Sequence, residues 1–439
     1  CALRAQGLEK GDRIGIWSHN SVAWIVAVVA AARAGLISVL INPAYERNEL
    51  GYCLKKTEIK SLLIGETLRT KNYYDTLTQM IPELGDSTTK SLKSKEYPHL
   101  SEPKAALDSH LGVVNNTYFV GKRNTFNEEP HKICVQVPMF HALGSIVTVL
   151  ASIRHGCSLI LPAPTYNLNA NINTLCTAIT GTPTMYVDML AKVKTMGQVP
   201  SKMRMALAAG APCSPHLIRD MQKYLNTDSV KCLYGMTETT ASVFQSLPGD
   251  SIDMVANTVG YIQDHVEAKV VDGSGNTLPF GSPGELVVRG YNSMICYWND
   301  PEKTRKTLSD EGWLKTGDEF VIKEDAYGRI VGRLKDIIIR GGENIAPKEI
   351  EDLLNTHPDI IESQVIGVAD ERLGEELCAV LRLREGATIT IDDVRNFCDG
   401  QIAKFKIPRI LKVTDEFPKT TSGKIQKYRL KELIDSGKL

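Results

Sequence analysis

The sequence predicts an α/β chain: a large N-terminal domain of doubly wound sheets carrying a small β-barrel or meander, followed by a small α+β C-terminal domain. Three observations lead there. Short apolar runs alternate with helical patterns through the first half, which is the rhythm of parallel sheets with crossover helices. From about Val266 the texture becomes strands separated by Gly-rich turns. After "GRLKD" (332–336) it changes again to hairpin, helix and strands, and 439 residues exceed what one core usually serves.

The elements follow in order. "RIGIWS" (13–18) reads as a strand, and a helix runs from about Ser21 to a stop at Gly35. The apolar run Val22 to Ala32 inside it is half of a bilayer span, so a buried helix is expected. "LISVLIN" (36–42) is the next strand, then a helix near 46–56 and the strand "SLLI" (61–64). The rhythm resumes with "ICVQVPMF" (133–140), "CSLILPA" (157–163), "RMALAAG" (204–210) and "VKCLYG" (230–235). Ligands in such sheets sit at the carboxyl ends of strands, which directs attention to the loops after Gly210 and Tyr234. "VEAKVVDGSGN", "GELVVRG" and "DEFVIKEDAYGRIVGR" supply the antiparallel strands. Pro347 then opens a helix with Ile350, Leu353 and Leu354 on one face, and "ESQVIGVAD" and "ELCAVLRL" read as strands. The boundary falls at Arg333 to Asp336, giving domains of residues 1–333 and 334–439.

Composition excludes several classes. Acidic and basic side chains balance at 51 each, so no overall field steers the chain to nucleic acid or to an anionic membrane. No run is long enough for a transmembrane segment. The ten cysteines stand singly, without a C-x-x-C pair or a Cys/His cluster at metal-ligand spacing. Reduced thiols in an intracellular compartment are therefore expected. The sequence opens at Cys1 without an Arg-rich or apolar leader, so targeting cannot be read from it.

Four polar stretches could carry chemistry. "CLYGMTETT" (232–240) ends a strand and turns through Gly235 into hydroxyls and Glu238, the mixture a nucleotide with Mg²⁺ needs. "AAGAPCSP" (208–215) offers small residues that let a flat ring approach the backbone. "WLKTGDEF" (313–320) places Asp318 after a Gly, where a carboxylate can accept both ribose hydroxyls. "PKTTSGKIQK" (418–427) carries Lys424 on a loop that is no Walker motif, since Pro418 replaces its first Gly and Ile425 its Ser or Thr. Taken singly, each also fits a solvated turn.

Together and in this order, "GAP", "YGMTE", "WLKTGD", "GRLKDIIIRGGENIAPKEIE" and "PKTTSGK" resemble the adenylate-forming superfamily of acyl-CoA synthetases, 4-coumarate CoA ligases, luciferases and peptide-synthetase adenylation domains. "PMFHALGS", "TGTPTMYVDML" and "LAAGAPCSP" look most like its mitochondrial medium-chain acyl-CoA synthetases. The resemblance implies a fatty acid CoA ligase using ATP, Mg²⁺ and coenzyme A, in the mitochondrial matrix, with a mobile small domain. It places Gly210, Ala211 and Pro212 at adenine, with Tyr234 and Gly235 beside the ring. Thr237 and Glu238 meet phosphate and metal, and Asp318 and Arg333 the ribose. Lys424 is the lysine of adenylation and Lys335 the hinge. His141, with Phe140, lies by the substrate carboxylate, and Gly181, Thr182 and Pro183 shape the acyl pocket. The turn Arg340 to Asn344, with Gly341 and Gly342, reaches the CoA path after rotation. The same resemblance keeps an aryl-CoA ligase and a non-catalytic acyl-binding or interaction homologue in view.

One departure from the family stands out. "PKAALDSH" (103–110) matches the exit of the family's phosphate-holding loop, Lys104 included, yet the Ser/Thr/Gly-rich loop that should precede it is missing. A block is expected to be absent between Leu100 and Ser101, with poor adenylation, or a product that does not fold stably, as the consequence.

Overall fold

A computed structural model describes every residue except 1, 6, 66, 69–70, 81–104, 173–174, 197–201 and 421–422. Two parallel sheets form the first half, as the alternating rhythm predicts. In the smaller, Arg13–Trp17 lies between Ile37–Ile41 and Ser61–Ile64. The larger has seven strands in the order Tyr261–Ile262, Phe244–Gln245, Thr227–Tyr234, Met203–Ala209, Ala178–Gly181, Lys132–Cys134 and Ser158–Ile160. Its last five are parallel and the first two antiparallel. The sheets share a core in which Ile16, Trp24 and Val28 pack with Val135, Met139 and Val149.

Two expectations are corrected. The helix Val22–Arg33 starts at its Ser21 cap, whose hydroxyl accepts from Trp24 N, and stops before Gly35 at φ +71°. It is not buried all round: Trp24, Val28 and Ala31 face the core, while Val22 is 67% exposed and Val26 60%. A helix lying on one side of a three-stranded sheet has only one face to bury. "ICVQVPMF" pairs as a strand only over Lys132–Cys134. Val135 N adds one bond to Ile160 O, and then the Asn20 side chain takes over, donating to Val137 O and accepting from Met139 N. Pro138 has no N–H to continue a ladder.

The antiparallel part is a meander: Val266–Val271, Gly284–Gly290, Leu314–Ile322 and Gly328–Arg333 pair in sequence order. Its core of Leu286, Val288, Leu314 and Phe320 is continuous with Tyr234 and Phe244 of the seven-stranded sheet. Beyond Arg333, the hairpin Ile338–Arg340/Glu343–Ile345 joins a sheet built on Ile360–Asp370 and Gly374–Leu383, with Ile410–Val413 parallel to the latter. Helices Pro347–Leu354 and Ile391–Cys398 cover this sheet and contribute Ile350, Leu354 and Val394 to a core that also holds Ala379 and Leu381 of its strands.

Candidate active site

The site is built at adjacent strand ends. Met203–Ala209 and Thr227–Tyr234 run parallel with Ala209 beside Leu233, so Gly210 emerges beside Tyr234, one residue before Gly235. Gly210 has φ +88°. A Cβ on Gly235 would sit 2.1 Å from Ala241 O, so only glycine lets the chain fold back this tightly. Thr240 and Ala241 take left-handed backbone at φ 48° and 78°, a strained geometry that needs support from its surroundings. Buried amides provide it: Asn116 Nδ2 donates to Thr240 O at 2.6 Å and Asn292 Nδ2 to Ser242 O at 2.8 Å.

The returning chain sets Tyr234 against the meander. Its hydroxyl donates to Asp318 Oδ2 at 2.7 Å, and Arg333 Nε meets Asp318 Oδ1 at 2.9 Å. Asp318 and Arg333 are direct cross-strand partners, which explains how two residues well apart in sequence share one carboxylate. Burial pushes the Asp318 carboxyl up, opposed by the Arg333 charge and the Tyr234 hydroxyl. Burial likewise drives the Tyr234 phenol well above its ordinary range.

Lys424 arrives from the far end of the chain. Thr184 Oγ1 donates to Gly423 O at 2.7 Å, and a Cβ on Gly423 would lie 3.0 Å from Thr182 Oγ1. The lysine's Cε consequently reaches Gly210, 3.7 Å from where a Cβ there would be. Burial and then the Arg333 charge lower the Lys424 ammonium, while Glu238 and Asp318 hold it up. His141 feels the same lysine: burial first, then Lys424, bring its imidazole down to about 4. Its Nδ1 accepts from Leu143 N at 3.2 Å, so the neutral ring carries its proton on Nε2. After it, Leu143–Leu150 is a π-helix whose Gly144 stands where a Cβ would be 2.1 Å from Pro138 O.

Glu238 forms the opposite wall. Tyr297 OH donates to its Oε1 at 2.5 Å, and Met294 N to its backbone oxygen at 2.8 Å. Cys296–Tyr297 pairs with Ala106–Leu107, so this segment is stitched beside Glu238. Sequence reasoning missed Asp108, the next residue. Loss of solvent around the carboxyl, then Glu238, raise it to about 7, and its Oδ1 is enclosed without a hydrogen-bond partner. An acidic residue one step past a strand that must pack inward was the available signal. Thr237 opens the short turn before Glu238 and is exposed. Lys104 lies outside the described residues.

Other predicted residues fall elsewhere. Gly181 serves packing, because a Cβ there would approach Gln136 Nε2 to 2.8 Å and the Tyr186 ring to 3.1 Å. Thr182 and Pro183 are buried beneath the Lys424 loop, Phe140 is half-buried, and Ala211 and Pro212 stand at the rim. Arg340 is locked within its own sheet by Glu376 at 2.6 and 2.9 Å and by Phe405 O at 2.9 Å. Gly341 and Gly342 are exposed, and Lys335 lies exposed in the short turn Leu334–Asp336. No helix among the described residues is long and apolar enough to cross a membrane.

Residues 1–98 and 101–298 match the AMP-binding enzyme model, and 349–424 the AMP-binding enzyme C-terminal domain. The chain belongs to the AMP-binding enzyme family. The match to the first model is interrupted at residues 99–100. The medium-chain acyl-CoA ligase ACSF2, mitochondrial, of Danio rerio is 37% identical over 489 residues, covering 98% of this chain and 81% of that protein. That alignment is longer than this whole chain of 439 residues, so the relative carries positions without a counterpart here. Among solved structures, ATP-bound MatB from Rhodopseudomonas palustris superposes with TM-score 0.84 at 28% identity, covering 98% of this chain and 90% of that one. The apo form of the same enzyme reaches 0.71 at 29% identity, covering 99% and 91%. By family the chain is an acid–thiol ligase.

Proposed function

We propose that this chain is a medium-chain fatty acid CoA ligase that works through an acyl-adenylate, with the adenylating half-reaction weakened by its missing phosphate loop. One observation carries the reading: Lys424, packed at Gly210, lies within electrostatic reach of His141, Glu238 and the Asp318–Arg333 pair, all drawn from separate segments. The better superposition on the ATP-bound than on the apo form of one relative supports an adenylating arrangement.

In the first half-reaction a fatty carboxylate attacks the α-phosphorus of ATP and pyrophosphate leaves. Lys424 lies where it can neutralise charge building on carboxylate and phosphate, and the neutral His141 Nε2–H can donate to the same oxygens. Asp318 and Arg333 fit the ribose hydroxyls, with Tyr234 and residues 210–212 around adenine. Glu238 keeps an oxygen free of Tyr297, and with the unpartnered Asp108 Oδ1 nearby the wall suits a hard cation such as Mg²⁺, which would screen phosphate charge. In the second half-reaction the CoA thiolate attacks the acyl carbon and AMP leaves. The exposed Gly341–Gly342 turn must then replace the Lys424 loop, so we assign residues 334–439 to a domain that turns about Lys335. Relatives named mitochondrial support that compartment.

The test separates the halves. Octanoate with ATP should release pyrophosphate far more slowly than supplied octanoyl-AMP is consumed by CoA. Turnover of cinnamate in preference to octanoate would favour an aryl-CoA ligase. Binding of neither ATP nor an acyl-AMP analogue by calorimetry would leave a non-catalytic homologue.

A further inference from the structure

Thr184 is not the only residue of the helix Pro183–Met196 that reaches the C-terminal part of the chain. One turn further on, Asp188 Oδ1 meets Arg382 Nη2 at 3.1 Å, across 194 residues of sequence. The Arg382 side chain is 14% exposed and that of Asp188 34%, so the pair is partly shielded from water and salt. Arg382 sits on Gly374–Leu383, directly cross-strand from Glu362 on Ile360–Asp370. The guanidinium therefore has two acids within range, one in each body. Glu362 Oε2 and Arg382 Nε are both buried without a hydrogen-bond partner, although they belong to neighbouring residues of opposite charge. An arginine with a bonded acid on one side and an unbonded one on the other has a second place to go. A buried Glu362 abandoned by Arg382 would keep Lys419 as its nearby counter-charge.

We propose that Arg382 is a positioning residue for acyl-adenylate formation: paired with Asp188 it latches the C-terminal sheet in the orientation that inserts Lys424, and Glu362 takes the guanidinium when the sheet turns away. Thr184 and Asp188 stand on one face of one helix, so the lysine loop and the latch are held by the same support. The assignment rests on the function proposed above for Lys424, whereas the latch itself can be tested without turnover.

The experiment is hydrogen–deuterium exchange of the full chain, read at Gly423, Lys424 and Gln426, whose amides bond to Thr420 O, Thr420 Oγ1 and Pro418 O. Asp188→Asn should speed their exchange about five- to thirtyfold, the range set by one partly buried charged hydrogen bond, with the amides of Gly374–Leu383 unchanged. Glu362→Gln should slow it, because the competing acid is gone. Opposite signs distinguish a latch from general loosening, which would accelerate both variants. Unchanged exchange in Asp188→Asn, or acceleration in both variants, overturns the proposal. Pyrophosphate release is measured in parallel. Its absence in the parent chain counts against the proposed function alone, since the exchange result stands by itself.

Discussion

The two walls of the site are finished to different degrees. On the Asp318 and Lys424 wall, both oxygens of Asp318 are engaged, by Tyr234 and by Arg333, and Lys424 is held through its loop by Thr184. On the other wall, Glu238 has Tyr297, but Asp108 is pressed in beside it with an orphaned oxygen, next to the two-residue strand Ala106–Leu107. The difference teaches that a site assembled from distant segments can be fully hydrogen-bonded on one side while the other keeps an unpartnered polar atom. Each wall is anchored to its own strands. Under the function proposed above, the two half-reactions should depend unequally on the two walls.

The largest test fills the weaker wall. Inserting a Ser/Thr/Gly-rich block between Leu100 and Ser101 should add two or three charged hydrogen bonds to the β- and γ-phosphates, worth about 3–9 kcal/mol. Pyrophosphate release should rise by about a hundredfold or more, while CoA-dependent consumption of supplied octanoyl-AMP stays within about threefold. Equal gains in both assays would mean the block repairs the fold and not the clasp.

Damage to the stronger wall comes next. Lys424→Ala should reduce adenylation by about a hundredfold to a thousandfold and leave thioester formation from acyl-AMP nearly intact. A parallel loss in both half-reactions would remove the lysine from its assigned role. Lys335→Pro should do the reverse, slowing thioester formation by about tenfold or more while sparing adenylation, because it stiffens the turn between the two bodies. Unaltered kinetics in both assays would dispose of the hinge.

The smallest effect concerns stability at Asp108. Its folded carboxyl sits near 7 against 3.8 for the free group, so the folded chain binds the extra proton. Stability contributed at this residue is therefore intact below about pH 4, declines as pH rises through the interval to about 7, and is lowest above it. Asp108→Asn should stabilise the chain by about 2–4 kcal/mol at about pH 8 and by almost nothing at about pH 4, measured by urea denaturation. A benefit equal at both pH values would show that the charge is not what the site resists. Adding Mg²⁺ to the unsubstituted chain should recover part of the same stability at about pH 8.

Much of the architecture was legible in the sequence because local rules governed it. Ser21 and Gly35 bounded their helix, Pro347 opened another, and the spacing of apolar runs announced parallel sheets followed by a meander. The motif order carried the family. Other features had no local signature. That Val22 and Val26 face outward depends on how much sheet the helix covers, not on the helix's own composition. Gly181 looked like a pocket residue until Gln136 and Tyr186 were placed against it.

By itself the sequence determined which chemical groups the chain owns and in what order. Tertiary structure alone decided that Lys424 should come within reach of the charges of Glu238 and Asp318, that Asp108 should be pressed against a like charge, and that Arg382 should reach Asp188. The reason is physical: burial and charge proximity are properties of space, and residues hundreds of positions apart acquire them only when sheets from both ends of the chain pack together.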